Sequence, residues 1–282
     1  NQWPDDVVEY FGNGDECQMA FHFPVMPRLY MGLRRGSREC ISEILAHTPH
    51  IPDGCQWGTF LRNHDELTLE MVTEEDRHYM WEEYAPESRW RCNLGIRRRL
   101  SPLVDNDDAK IRLLNAMLLS LPGSPVLYYG DEIGMGDDPW LPDRDGVRTP
   151  MQWDDSETAG FSTALPEDFH LPLIRTFGHD PEHVNVARQM DDPSSLLVWT
   201  RAMLGIRRHH PVFGTGEFTD LGGEPGELLY DFRKGFIQIY ADVANFSVAT
   251  EKKVKKEKKA KKEKKTQVDS EPIPELVAQE PT

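Results

Sequence analysis

The sequence predicts an α/β fold in which parallel strands alternate with helices, followed by a short β-rich region. Short apolar runs recur at 19–26, 56–62 and 125–130, with helical or polar segments between them. Each run is apolar along its whole length, which is typical of parallel strands covered on both faces. A polar stretch follows each run, so we expect the functional residues at the carboxyl edge of the sheet.

Helical periodicity marks the segments between and after these strands. Residues 27–48, 108–121 and 192–211 carry apolar side chains at helical spacing. The third helix is expected to use Asp192 or Ser194 as its N-cap, because short polar side chains accept the free amides of the first turn.

The last part of the sequence contains a long loop, a β-rich region and a Lys-rich tail. Residues 137–172 are rich in Pro, Gly, Asp and Trp, and loops of this length usually carry function. From 214 to 248 three short strands alternate with Gly turns, which predicts a truncated β-rich domain after a first domain at 1–213. Residues 249–282 are predicted to be a disordered, Lys-rich, low-complexity tail.

Charge and composition exclude several function classes. The formal charge is −16, and residues 251–265 alone hold ten Lys and three Glu, which leaves about −23 on the rest. An acidic body repels nucleic acid, and no apolar run is long enough to span a membrane. The start of the chain lacks the features of a signal peptide, and its four cysteines form no C-x-x-C pair. We therefore expect a cytoplasmic enzyme with reduced thiols and a neutral substrate.

The strongest chemical signal is the tripeptide Asn63-His64-Asp65 at the end of the second predicted strand. An Asp there can bind vicinal sugar hydroxyls and stabilise positive charge in an oxocarbenium-like transition state. The tripeptide alone is weak evidence, because Asn63 and Asp65 could simply cap backbone amides in a turn.

Longer motifs resemble one enzyme family. "FLRNHDE" (60–66) and "GSPVLYYGDEIGM" (123–135) resemble the strand-seven and strand-eight motifs of the α-amylase superfamily of glycoside hydrolases. "DRDGVRTPMQWD" (143–154) resembles the loop that follows strand eight in the branch with oligo-1,6-glucosidases and trehalose synthases. Residues 67–108 resemble an extended segment characteristic of the trehalose synthases.

The resemblance implies that the chain forms about strands five (its end) to eight of a (β/α)8 barrel. It further implies the isomerisation of maltose to trehalose by intramolecular, retaining glucosyl transfer. The family's nucleophile Asp and acid/base Glu fall before Asn1, so we expect no turnover by this chain alone. A fragment of an α-glucosidase and a non-catalytic remnant that binds a partner through its Lys tail remain as alternatives.

The resemblance also assigns roles to individual residues. Asp65 would be the transition-state stabiliser, and His64, Arg148 and Arg144 would bind the substrate. Ion pairs that hold the loop, with Asp143 or Asp145, are an equally good interpretation of the two arginines. The aromatic residues of the long loop are expected to pack in the core rather than on a sugar; they are Trp140, Trp153 and Phe161.

No cofactor is predicted for this chain. The family often holds a structural Ca²⁺ ion, but its ligands would come mostly from sequence that is absent here, and residues 105–108 (DNDD) are better interpreted as a helix cap. The predicted partner is a small sugar, maltose or trehalose, with neither nucleic acid nor membrane. The complete protein is expected to be a homo-oligomer.

Overall fold

A computed structural model describes residues 1–233, 237–242 and 247–250. The strands are β1 (Met19–Phe21), β2 (Gln56–Phe60), β3 (Arg91–Cys92), β4 (Gly95–Ile96), β5 (Ser124–Val126), β6 (Glu217–Gly222), β7 (Glu227–Arg233), β8 (Ile237–Asp242) and β9 (Ser247–Thr250). The α-helices are α1 (Pro4–Val7), α2 (Val25–Arg35), α3 (Glu39–Ala46), α4 (Glu74–Tyr84), α5 (Leu100–Leu103), α6 (Asp108–Ser120), α7 (Val186–Met190), α8 (Leu196–His209) and α9 (Val212–Thr215). Short 3-10 helices lie at Val8–Phe11, Ser88–Trp90, Asp131–Ile133, Asp145–Val147 and Pro166–Asp168.

A parallel sheet with the strand order β1-β2-β5 confirms the predicted α/β class. Helices α2 and α3 connect β1 to β2, and helices α4 to α6 connect β2 to β5. Since all three strands run in the same direction, the residues that follow them meet at one edge. The main hydrophobic core lies between this sheet and helices α2, α4 and α6.

Three of the predicted elements have other boundaries in the structure. The first strand ends at Phe21 rather than residue 26, because Pro24 adopts helical dihedral angles and α2 begins at Val25. The helix predicted at 27–48 is split at Gly36, which has a φ of 60° and ends α2 in the left-handed region. The third predicted strand likewise shortens to β5.

Helix α6 begins at the acidic run, and the predicted helix cap is confirmed. The Asp107 carboxylate accepts hydrogen bonds from the amides of Ala109 and Lys110 at 3.0 and 3.3 Å. These bonds satisfy two of the four amides that the start of a helix leaves free.

Replacing Asp107 by Ala is expected to lower the free energy of unfolding by about 1 kcal/mol, the usual contribution of an N-cap. Urea denaturation followed by circular dichroism measures the change. Asp108→Ala is the matched control, since it removes a neighbouring charge and an ion pair with Arg112 but no cap, and should cost about 0.5 kcal/mol or less. Equal losses in the two variants would contradict a specific capping role.

Helix α8 has a different N-cap from the two candidates. The Ser195 hydroxyl accepts from the Val198 amide, whereas Asp192 accepts from the amide and hydroxyl of Ser194 in the preceding turn. The helix therefore starts after an additional turn. At its other end Arg207 donates to the carbonyl oxygens of Leu119 and Gly123, which fixes α8 beside the end of α6.

The region after α9 forms an antiparallel sheet with the order β6-β7-β8-β9. It has one strand more than predicted, because β9 (Ser247–Thr250) follows the three expected strands. The buried Tyr230 hydroxyl bonds to Ser120 Oγ and so joins this sheet to α6. The Lys-rich run from residue 251 onward lies outside the described residues. Within the part of the chain described, no helix has the length and apolar character needed to cross a membrane.

Candidate active site

Asp65 lies at the carboxyl edge of the parallel sheet, just after β2. Its main chain is fixed in a tight turn, because the Asp65 amide donates to Asn63 Oδ1 at 2.9 Å. The buried Arg62 donates to the carbonyl oxygens of Asp65 at 3.0 Å and Arg98 at 2.6 Å. The Asp65 side chain is 40% exposed, in contrast to the buried Arg62 that supports its backbone.

Two arginines from the long loop converge on Asp65. Arg144 Nε and Arg148 Nη2 both lie 3.0 Å from Asp65 Oδ1. Arg144 also pairs with Asp143 at 2.9 Å, and Arg148 approaches Asp145 at 3.7 Å. The loop ion pairs and the contacts to Asp65 therefore coexist in one network.

His64 completes the group of four predicted site residues. Its ring is 70% exposed, with Nε2 3.5 Å from Asp65 Oδ2, and its carbonyl oxygen accepts from Arg148 Nε at 2.8 Å. The structure thus brings Asp65, His64, Arg144 and Arg148 together, and their roles in catalysis and substrate binding remain proposals.

Glu66 belongs to the same network. Its side chain is largely buried, lies 3.5 Å from Arg144 Nε, and accepts from Asn93 at 2.9 Å. Asn93 lies in the 67–108 segment, which runs back to the site through pairing of Leu67 with Ile96. This segment therefore forms one wall of the site.

The tyrosines that follow β5 support the opposite wall. The hydroxyl groups of Tyr128 and Tyr129 donate to the carbonyl oxygens of Val147 and Thr149 at 2.8 and 2.7 Å, on either side of Arg148. Gly130 then turns the chain with a φ of 84°, where a Cβ atom would collide with Met135. The motif "YYG" belongs to the stretch that resembles strand eight, but the sequence alone does not predict these two contacts.

A run of arginines fixes the long loop at its start. Arg98 Nε donates to both carboxylate oxygens of Asp137 at 2.9 and 3.1 Å, and the Arg99 amide adds a bond of 2.7 Å. Asp137 is buried, and these donors satisfy the oxygen atoms of its side chain. Sequence reasoning missed this pair, and the run "RRR" at 97–99 was the only signal of it.

Asp131 follows β5 but is buried. Its Oδ1 lies 3.9 Å from Arg99 Nη1 and makes no hydrogen bond. Burial raises the pKa of Asp131 to about 7, although Arg99 and Arg62 oppose the shift. A carboxyl group that is 4% exposed has no access to a bound sugar.

The aromatic residues of the long loop are not core residues, so that expectation was wrong. Trp140, Trp153 and Phe161 are 77%, 49% and 48% exposed. The guanidinium group of Arg89 covers one face of the Trp140 ring at 4.1 Å, which stabilises an exposed aromatic side chain.

The described residues contain no cluster of three or more His, Cys, Asp or Glu side chains that could hold a metal ion. Within the acidic run at 105–108, Asp105 and Asp107 both face Lys110, at 3.9 and 3.6 Å. These carboxylates are therefore engaged with a cation of the protein and with the cap of α6.

Comparison with known structures identifies the fold. The chain superimposes on an α-amylase from H. orenii with a TM-score of 0.59 and 19% identity, over 85% of this chain and 41% of that one. A trehalulose synthase from Pseudomonas mesoacidophila MX-45 gives a TM-score of 0.57 at 20% identity, over 84% and 44% of the two chains. The sequence of residues 81–216 also matches the family model "Alpha amylase, catalytic domain".

Comparison with curated sequences is more specific. A trehalose synthase of Pimelobacter sp. (strain R48) is 62% identical over 240 residues, which cover 82% of this chain and 42% of the relative. A trehalose synthase of Thermus thermophilus is 47% identical over 89% of this chain and 26% of its own length. An oligo-1,6-glucosidase of Parageobacillus thermoglucosidasius is only 28% identical, over 51% and 31%. This chain, which spans about two fifths of the length of the first of these relatives, belongs to the trehalose synthase group of the α-amylase family of enzymes.

Proposed function

We propose that this chain supplies the transition-state-stabilising part of a retaining glucosyltransferase site, in a protein that isomerises maltose to trehalose. The observation that carries the proposal is the Asp65 carboxylate, presented at the carboxyl edge of a parallel sheet by two arginines. The high identity to a trehalose synthase over most of the chain supports the choice of reaction.

The proposed architecture is the last part of a (β/α)8 barrel, with strands β1, β2 and β5 in neighbouring positions. The shared fold with an α-amylase and the position of the site at the carboxyl edge support this arrangement. The barrel part would extend over residues 1–213. A shortened β domain would follow at 214–248, close to the start of β6 at Glu217, and the Lys-rich tail would occupy 249–282.

The two carboxylate oxygen atoms of Asp65 have different proposed roles. Oδ1 is occupied by Arg144 and Arg148, whereas Oδ2 faces His64 at a distance longer than a normal hydrogen bond and is left for sugar hydroxyls. A negative charge held there stabilises the positive charge that develops on the glucosyl ring. His64 would bind a sugar hydroxyl, and Arg144 and Arg148 would close the pocket.

Retention also requires a nucleophilic carboxylate and an acid/base, with their carboxyl groups about 5 to 5.5 Å apart. Glu66 and Asp143 lie near Asp65, and both already pair with Arg144. We therefore assign the nucleophile and the acid/base to residues that this sequence does not contain.

The 282-residue chain alone is expected to convert no maltose, because it lacks these two groups. A chimera that joins it to the first part of the Pimelobacter trehalose synthase is expected to produce trehalose. Chromatography of both reactions after incubation with maltose measures trehalose and glucose. Turnover by the chain alone would refute the assignment of the two missing groups.

The same assay separates the alternatives. Hydrolysis in place of isomerisation, as in an α-glucosidase, would give glucose in excess of trehalose. The wall formed by residues 67–108 favours isomerisation, since a covered site keeps water from the glycosyl-enzyme. A non-catalytic binding partner would give no product even in the chimera. Homo-oligomerisation and a cytoplasmic location are further predictions for the complete protein.

A further inference from the structure

Arg97 joins the two walls of the site through hydrogen bonds to main-chain carbonyl groups. Its Nε donates to the carbonyl oxygen of Arg89 at 2.6 Å, within its own segment. Its Nη1 donates across to the carbonyl oxygens of Leu141 and Asp143 at 2.8 and 2.6 Å, and Nη2 lies 3.3 Å from that of Pro139. Four carbonyl oxygens therefore surround one guanidinium group.

The bond to Asp143 is the one that bears on the site. The carbonyl group of Asp143 lies in the same planar peptide unit as the nitrogen atom of Arg144, so holding this oxygen orients the backbone from which Arg144 extends. Asp143 also has a φ of 45°, in the left-handed region that residues other than Gly adopt less often.

Together with two other contacts, these bonds form a continuous chain of interactions that begins and ends at Asp65. Leu67, two residues after Asp65, pairs with Ile96 through bonds of 2.8 and 3.1 Å. Arg97 follows Ile96 and holds Asp143, and Arg144 then returns to Asp65 Oδ1 at 3.0 Å. We infer that Arg97 is a positioning residue that sets the Arg144 guanidinium group on Asp65.

An arginine is required for this task. Its planar fork presents donors in several fixed directions, which suits carbonyl groups that alternate along a loop at residues 139, 141 and 143. A lysine carries its donors on a single nitrogen atom and cannot span the same set. Arg97→Lys therefore keeps the positive charge but cannot form the same set of hydrogen bonds.

The test measures how accessible the Arg144 guanidinium group is. Phenylglyoxal adds to free guanidinium groups, and peptide mass spectrometry of the 282-residue chain gives the rate of modification at each arginine. Arg97→Lys is expected to raise the rate at Arg144 about tenfold or more, because bonds from a charged donor that restrain the loop are lost. The rate at Arg112, which pairs with Asp108 on α6, should not change.

Two comparisons distinguish positioning from general destabilisation. Arg91→Lys is the matched control, since Arg91 lies in the same segment and donates to Ala85 rather than to the long loop. Hydrogen exchange of the α6 amides reports global opening. An unchanged rate at Arg144 would overturn the inference, and so would a rise accompanied by faster exchange throughout α6. Since the readout involves no sugar, the result is independent of the proposed function.

Discussion

Asp65→Asn is expected to lower the rate of trehalose formation about 10²- to 10³-fold in the chimera that contains all three carboxyl groups. Asn keeps the size of the side chain but cannot place a negative charge beside the developing oxocarbenium ion. The effect should appear in kcat more than in KM, because the interaction is strongest in the transition state. Initial rates over a range of maltose concentrations measure both constants.

Glu70→Gln is the matched control for this substitution. Glu70 is an exposed acid five residues further on, and its side chain accepts a hydrogen bond from Asn1 rather than from a residue of the site. Removing its charge should change the rate less than threefold. A comparable loss in the two variants would show that net charge near the site, rather than the Asp65 carboxylate, accounts for the effect.

Asp131→Asn is expected to remove a pH dependence from the stability of the fold. The pKa of Asp131 is raised from 3.8 to about 7 by burial, so the folded state binds its proton more tightly than the unfolded state. The free energy of unfolding of the wild type should therefore decrease as the pH rises from about 4 to about 7. The difference between wild type and variant should change by about 4 kcal/mol over this range.

Urea denaturation at unit steps from pH 4 to pH 8 measures this difference. Glu132→Gln serves as the control, since it removes the neighbouring, more exposed carboxylate, whose charge is the smallest contribution to the raised pKa of Asp131, and it should leave most of the wild-type pH dependence in place. A constant difference between wild type and Asp131→Asn would mean that Arg99 and Arg62 offset the cost of burial. The folded-state pKa of Asp131 would then lie near its ordinary value of 3.8, and the carboxylate would be charged over most of this range.

Strands and helices could be predicted wherever periodicity and local caps agree. Helix α6 shows both, because its apolar face is continuous and Asp107 precedes it. The helix predicted at 27–48 failed because its apolar spacing continues across Gly36, where the backbone turns. Spacing alone does not reveal a break whose cause is a single left-handed residue.

The candidate site was predicted only in its outline. The Asn63-His64-Asp65 tripeptide is local and visible, and the resemblance supplied Arg144 and Arg148. The contacts of Arg97 to the long loop could not be predicted, because these three partners are main-chain carbonyl groups more than forty residues away along the chain, and every residue type carries a carbonyl. The exposure of Trp140 was predicted wrongly, because a large aromatic side chain is usually buried. Trp140 lies instead on a long surface loop, where Arg89 covers one face of its ring.

The three consecutive arginines also limit how this protein can be recombined with its relatives. Arg97 and Arg98 attach one segment to the loop that begins at Asp137, and Arg99 donates to the Tyr129 carbonyl just before that loop. A chimera whose incoming segment lacks these arginines leaves a buried carboxylate and several carbonyl groups without their donors. Crossover points for directed evolution therefore belong before Leu67 and after Thr149, so that both segments are inherited as a single block.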